Sequence, residues 1–170
     1  MGALRVGAAR DAQTELGPLI SPQAVAKVTA LVDDAVERGA TLATVGDRPD
    51  GVGYYYPPTV LTDVPRDSPI VSEEIFGPVA SLIPFDDDAD AIALANDTQY
   101  GLAAYVYGGD LRRTMRVAEG LQAGMVGVNR GLISDPAAPF GGVKQSGLGR
   151  EGSKEGLLEF SETKYIAVDW

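Results

Sequence analysis

The sequence predicts an α/β fold of parallel strands joined by helical crossovers, and three observations carry that expectation. Apolar runs at 79–85, 101–107 and 124–129 alternate with helical stretches at 86–96 and 110–121, which spells out β-α-β-α-β. Each crossover is about a dozen residues long, enough to return the chain for a parallel strand buried on both faces. The 21 glycines and 11 prolines are spread along the chain, so short elements with tight connections are expected and no interdomain linker is visible.

In chain order, residues 3–20 read as a polar, irregular lead-in that ends at Gly17-Pro18-Leu19-Ile20. A helix follows, with Ser21 as N-cap and Pro22 at its first position, where a missing N–H costs nothing. Val25, Val28, Val32 and Val36 are assigned to its buried face, Asp33, Asp34, Glu37 and Arg38 to the rest, and Gly39 stops it. A strand over 41–45 and a turn-rich stretch over 46–53 come next. The aromatic, β-prone segment 54–61 contains Pro57-Pro58, which makes it an edge strand or a bend. In the β-α-β region, Asp86, Asp87 and Asp88 place negative charge in the first helical turn, where the macrodipole favours it, and Asp110 caps the second helix. A long glycine-rich loop occupies 130–149, a short helix 151–158. The closing segment 163–170 alternates Ile166, Val168 and Trp170 with Tyr165, Ala167 and Asp169, the pattern of an amphipathic strand that pairs with an edge in this chain or a partner.

Composition excludes several kinds of function. A net charge of -10 with no clustered Lys/Arg face argues against nucleic-acid binding, which depends on neutralising phosphates. No apolar run approaches the roughly 20 residues that span a bilayer, and the first residues open no signal peptide, so a cytoplasmic protein is expected. With no cysteine there is no disulfide, thiolate nucleophile or Cys-zinc site, and with no histidine no Ser-His triad or imidazole base. The chain does not supply the usual nucleophile and base.

Three generic patterns carry no function. Gly147-Leu148-Gly149-Arg150-Glu151-Gly152 satisfies G-x-G-x-x-G, but Val143-Lys144-Gln145-Ser146 before it is loop-like and the chain ends before a second strand and its acid could follow. Asp86, Asp88 and Asp90 mimic the start of a calcium loop, yet the sixth position is Ala91 where glycine is needed. Asn96-Asp97-Thr98 is a glycosylation sequon only on paper.

Two segments say more. In Val71-Ser72-Glu73-Glu74-Ile75-Phe76-Gly77-Pro78, two acids directly precede a phenylalanine and a helix-breaking Gly-Pro. The plain reading is a turn into the next strand. The functional one is a carboxylate held rigidly beside a buried ring, able to accept a pair of ribose hydroxyls while the ring packs on a flat ligand. In Pro139-Phe140-Gly141-Gly142-Val143-Lys144-Gln145-Ser146-Gly147-Leu148-Gly149-Arg150-Glu151, the glycines allow close backbone approach or positive φ. Lys144, Ser146, Arg150 and Glu151 can fix such a loop by hydrogen bonds, which favours an ordered loop near a ligand or interface over a flexible linker.

In this order, about sixty residues apart, these segments resemble the signature of the aldehyde dehydrogenase superfamily. The likeness continues through Leu16-Gly17-Pro18-Leu19-Ile20, Tyr56-Pro57-Pro58-Thr59-Val60-Leu61, Ala95-Asn96-Asp97-Thr98, Gly101-Leu102-Ala103-Ala104-Tyr105 and Gly127-Val128-Asn129, collinear over roughly residues 3–170. Gly131-Leu132-Ile133-Ser134 and the run from Lys144 to Lys154 are most similar to succinate-semialdehyde dehydrogenases. Arg130 falls where family members differ among themselves, and Asp135 puts a like charge beside the serine.

The resemblance implies that Ser134 contacts the substrate's carboxylate and that Glu74 and Phe76 contact NAD or NADP at the nicotinamide end. Phe140, Gly141, Gly142, Lys144, Ser146 and Gly147 then form a structural loop. It implies a thiolate attack on an aldehyde, hydride transfer to the cofactor and hydrolysis of a thioester. The chain is accordingly expected to be a C-terminal part of the catalytic domain, without the cofactor domain or the cysteine segment, inactive alone and binding no cofactor alone. Its terminal strand at about 163–170 is expected to serve homo-oligomerisation. Two other readings are a non-catalytic oligomerisation or partner-binding module on the same scaffold, and an unrelated α/β domain whose glycine loop holds an anion.

Overall fold

A computed structural model describes all residues 1–170, which divide into two compact units, 1–84 and 85–170. The first unit is built on α1 (Pro22–Glu37), β1 (Thr41–Val45), β2 (Thr59–Thr62), the short α2 (Pro69–Ser72) and β3 (Val79–Ser81). The second holds α3 (Asp88–Asn96), β4 (Tyr100–Gly101), β5 (Ala103–Val106), α4 (Leu111–Gly120), β6 (Met125–Val128), β7 (Val143–Lys144) and α5 (Ser153–Leu158).

In the first unit, α1 starts as the sequence predicts: the Ser21 hydroxyl accepts from the Ala24 N–H at 3.1 Å and Pro22 opens the first turn. Its buried stripe is Val28, Leu31, Val32 and Ala35, with Val25 packed against it, so three of the four valines assigned to one face lie on the core side and Val36 does not. Val36 is 41% exposed. Eight residues from Val28 is about 80° past two full turns at 3.6 residues per turn, so Val36 rotates off the core face while Leu31 and Ala35 rotate onto it. The stripe packs with Leu61, Val64, Ile70 and Tyr56 into the core of this unit. The sheet runs β1-β2-β3, antiparallel then parallel. β2 is therefore the central strand, with Thr59 and Leu61 both buried. Pro57-Pro58 lie just before it, so this segment leads into a central strand and not an edge.

In the second unit, β5-α4-β6 is a parallel crossover, paired in register from Ala103 with Met125 to Val106 with Val128. α3 and α4 are capped by Asp87 and Asp110, whose carboxylates accept from Asp90 N–H at 2.9 Å and Arg113 N–H at 3.1 Å. The α/β class stands. Of the two predicted crossovers only this one joins strands of one sheet, because β3 pairs with β2 and β5 with β6. Nor are the strands buried on both faces within this chain: along β5, residues alternate between exposed and half-buried.

The predicted strand at 163–170 pairs with no edge of this chain. A strand exists only as half of a ladder, and Tyr165 (88%), Ile166 (72%) and Trp170 stand in solvent.

Candidate functional site

The loop over 130–152 is tied down through its second half. Antiparallel pairing of β4 with β7 sets Tyr100 opposite Lys144 and Gly101 opposite Val143, and the Ser146 hydroxyl accepts from the Gly101 N–H at 3.0 Å. The Lys144 ammonium donates to the carbonyls of Asn96 (2.8 Å) and Thr98 (3.0 Å), the negative end of α3. Phe140 and Glu151 exchange a reciprocal pair of backbone hydrogen bonds at 2.7 and 2.8 Å, which closes the loop at its base. Inside it, Arg150 Nη1 donates to the carbonyls of Gly142 (2.7 Å), Leu148 (2.9 Å) and Gly149 (3.0 Å), and Glu159 accepts from the Arg150 N–H at 3.1 Å. Gly141 is required here: a Cβ would lie 2.3 Å from the Gly149 carbonyl oxygen. Phe140, Gly141, Gly142, Lys144, Ser146 and Gly147 thus lie in one ordered loop.

Ser134 is exposed on the same loop. It opens on a groove of about 410 Å³ walled by Asp135, Pro136, Ala138, Phe140, Glu151 and Gly152. The groove has two carboxylates and no cation of its own, so a carboxylated ligand seated there takes its counter-charge from elsewhere. The loop's other cations are occupied, Lys144 and Arg150 by the carbonyls just named and Arg130 Nε by the Leu132 carbonyl at 2.6 Å.

In the first unit, Glu74 and Phe76 sit on the turn between α2 and β3. The Glu74 carboxylate is exposed and makes no hydrogen bond or ion pair within the chain. The expectation of a buried ring is overturned: Phe76 is 76% exposed. Its neighbour Ile75 takes the inward place against the core, and Phe76, at φ 49° in the left-handed region, turns outward ahead of Gly77-Pro78. Such a conformation costs a non-glycine residue of order 1 kcal/mol or more and concentrates at functional sites. The turn thus presents a partnerless carboxylate and an open ring face two residues apart.

Some anchoring residues escape a reading of the sequence. The Asn129 side chain accepts from the Gly108 N–H (2.8 Å) and donates to the Gly108 carbonyl (2.9 Å), clasping the ends of β5 and β6. Asn96 joins the ends of α3 and α4 by donating to the Gly120 carbonyl (2.8 Å) and accepting from the Gln122 N–H (2.7 Å). Both bridge more than twenty residues, and the only available hint was an asparagine directly after an apolar run or helix. Lys27, whose ammonium donates to the Glu74 carbonyl, gave no signal at all.

The second unit thus carries a pinned glycine loop bordering a groove, and the first a turn that presents a carboxylate and a ring, both on an α/β scaffold. The chain belongs to the aldehyde dehydrogenase family, whose model matches residues 1–166. It is 54% identical to a succinate-semialdehyde dehydrogenase of Paenarthrobacter nicotinovorans, over 99% of this chain and 37% of that protein. It is 48% identical to a glutarate-semialdehyde dehydrogenase of Pseudomonas putida, over 97% of this chain and 34% of the relative. The crystal structure of an NADP dependent enzyme of Escherichia coli superposes with a TM-score of 0.91 at 50% identity, covering 96% of this chain and 34% of that one. The chain therefore spans about a third of the length of the relatives it matches. No helix is long and apolar enough to cross a membrane.

Proposed function

We propose that the chain forms part of the pocket of an NAD- or NADP-dependent aldehyde dehydrogenase whose substrate carries a carboxylate at the far end, succinic semialdehyde first. The observation that carries this is Ser134, an exposed hydroxyl that opens on a groove beside the anchored glycine loop. In this reading Ser134 donates to the substrate's carboxylate, the Glu74 carboxylate accepts the ribose hydroxyls, and the Phe76 ring covers the nicotinamide. The bound cofactor supplies a hydride acceptor. The relatives' two named substrates, succinate and glutarate semialdehydes, differ by one methylene, which a pocket discriminates by only about 1–3 kcal/mol. Their shared chemistry, an aldehyde with a terminal carboxylate, is the substrate class assigned.

The same reading makes the 170 residues inactive alone, because they contain no cysteine to form a thioester. The experiment is to graft residues 1–170 in place of the matching third of the Escherichia coli enzyme and assay NADP reduction beside the unmodified chain. Turnover is expected from the graft and none from the chain. In the graft, Ser134→Ala should raise KM for succinic semialdehyde roughly 10- to 150-fold, the worth of a hydrogen bond to a charged group, and leave butanal unaffected. Cofactor reduction by the chain alone, or equal effects of Ser134→Ala on both aldehydes, refutes the assignment. Circular dichroism of each graft separates loss of function from loss of fold.

A further inference from the structure

We infer that Lys27 and Val28, on α1, are positioning residues for the cofactor turn: they hold Glu74 and Phe76 in the presentation that a nicotinamide cofactor meets. The inference rests on the reading of Glu74 and Phe76 given under Proposed function.

Three observations converge on it. The Lys27 ammonium reaches the Glu74 carbonyl across 47 positions of sequence, fixing the orientation of the 74–75 peptide plane. Val28, the next residue of α1, is 1% exposed and packed beneath the other end of the same turn. A Cβ at Gly77 would fall 2.7 Å from Val28 Cγ2 and 3.2 Å from Cγ1, so the turn closes onto the valine only because residue 77 has no side chain. Phe76 lies between these two attachments, with Ile75 packed against the core on one side and the Gly77 carbonyl bound to the Val79 N–H at 2.8 Å on the other. Its left-handed backbone cannot relax while both flanks are held, so the ring stays outward.

The two attachments differ in kind. Val28 belongs to the core, and its loss would disturb folding. The Lys27 bond is exposed, so water replaces it at the carbonyl and folding stability changes little when it is lost. What changes is the freedom of the turn. Lys27 is therefore the residue at which positioning separates from stability.

The test uses the unmodified 170-residue chain and the Escherichia coli graft, each with Lys27→Met and Lys27→Arg. In the chain, hydrogen exchange at the Val79 amide, which donates to the Gly77 carbonyl at 2.8 Å, should quicken about tenfold in Lys27→Met, with Tm nearly unchanged and Lys27→Arg recovering most of the protection. In the graft, Kd for NADP measured by calorimetry should rise about tenfold in Lys27→Met while KM for the aldehyde holds. Unchanged exchange and unchanged Kd in Lys27→Met, beside a Phe76→Ala control that does weaken NADP, overturns the inference. A Phe76→Ala control that leaves NADP binding untouched instead overturns the cofactor reading; the exchange result still decides whether Lys27 holds the turn.

Discussion

Arg150→Met removes the internal brace of the glycine loop, and its cost can be worked from the bonds it makes. One nitrogen, Nη1, faces three carbonyls at 2.7, 2.9 and 3.0 Å, but it carries two hydrogens, so the three contacts amount to two full hydrogen bonds at most. The contact to Gly142 is partly buried, and a bond from a charged donor there contributes about 1.5–3 kcal/mol. The Leu148 and Gly149 carbonyls are exposed, and water takes the arginine's place, leaving about 0–1 kcal/mol between them. Methionine keeps most of the apolar stem, so lost packing adds little. The sum is about 1.5–4 kcal/mol of loop-opening free energy. In native-state hydrogen exchange this is a roughly 12- to 900-fold acceleration at the Phe140 and Glu151 amides, which close the loop's base. The Ala104 and Val126 amides of the neighbouring β5-β6 pair should change far less. An acceleration below about threefold at Phe140 and Glu151, or an equal one at all four amides, would show that Arg150 is not what holds the loop shut.

Two further outcomes are expected. Hydrogen bonds from the Arg113 guanidinium, at 2.6–3.0 Å, hold the Asp88 carboxyl below its usual range, so the pair's stabilisation is present above the unfolded pKa and lost as pH falls through the depressed folded one. Tm of the unmodified chain should therefore fall more steeply than that of Asp88→Asn below the ordinary carboxylate range, and coincident curves would contradict this. We also propose that 163–170 pairs with a second copy, since Tyr165, Ile166, Val168 and Trp170 are left in solvent. Light scattering should show a dimer or larger species that Ile166→Lys reduces to monomer, and a monomer at every concentration for the unmodified chain rules it out.

Features written over a few neighbouring residues were legible in the sequence. The Ser21-Pro22 start of α1, the acid-capped starts of α3 and α4, and the β5-α4-β6 crossover all follow from local capping chemistry and periodicity. The glycine loop was legible as ordered because Lys144, Ser146 and Arg150 are hydrogen-bonding residues where a linker needs none. Pairing was not legible. Nothing in 59–62 says that β2 lies between β1 and β3, because strand order is fixed by partners distant in sequence. Phe76 was assigned to the interior because large apolar rings usually go there, but Ile75 holds the inward position and consecutive residues of a turn cannot both face the core. Lys27 was silent, and the clasp made by Asn129 unreadable, for the same reason as the sheet order: each acts on a backbone group more than twenty positions away.

The outward ring of Phe76 sets two selective demands against each other at one codon. Glycine would settle into the left-handed backbone without strain, which relieves the free protein. Phenylalanine keeps a folding penalty already discharged before any ligand arrives, and whatever covers the ring then recovers about 1.5–3 kcal/mol of hydrophobic burial with no side chain left to reorganise. A screen that rewards heat tolerance alone would drift away from the aromatic, and one that rewards occupancy would hold on to it.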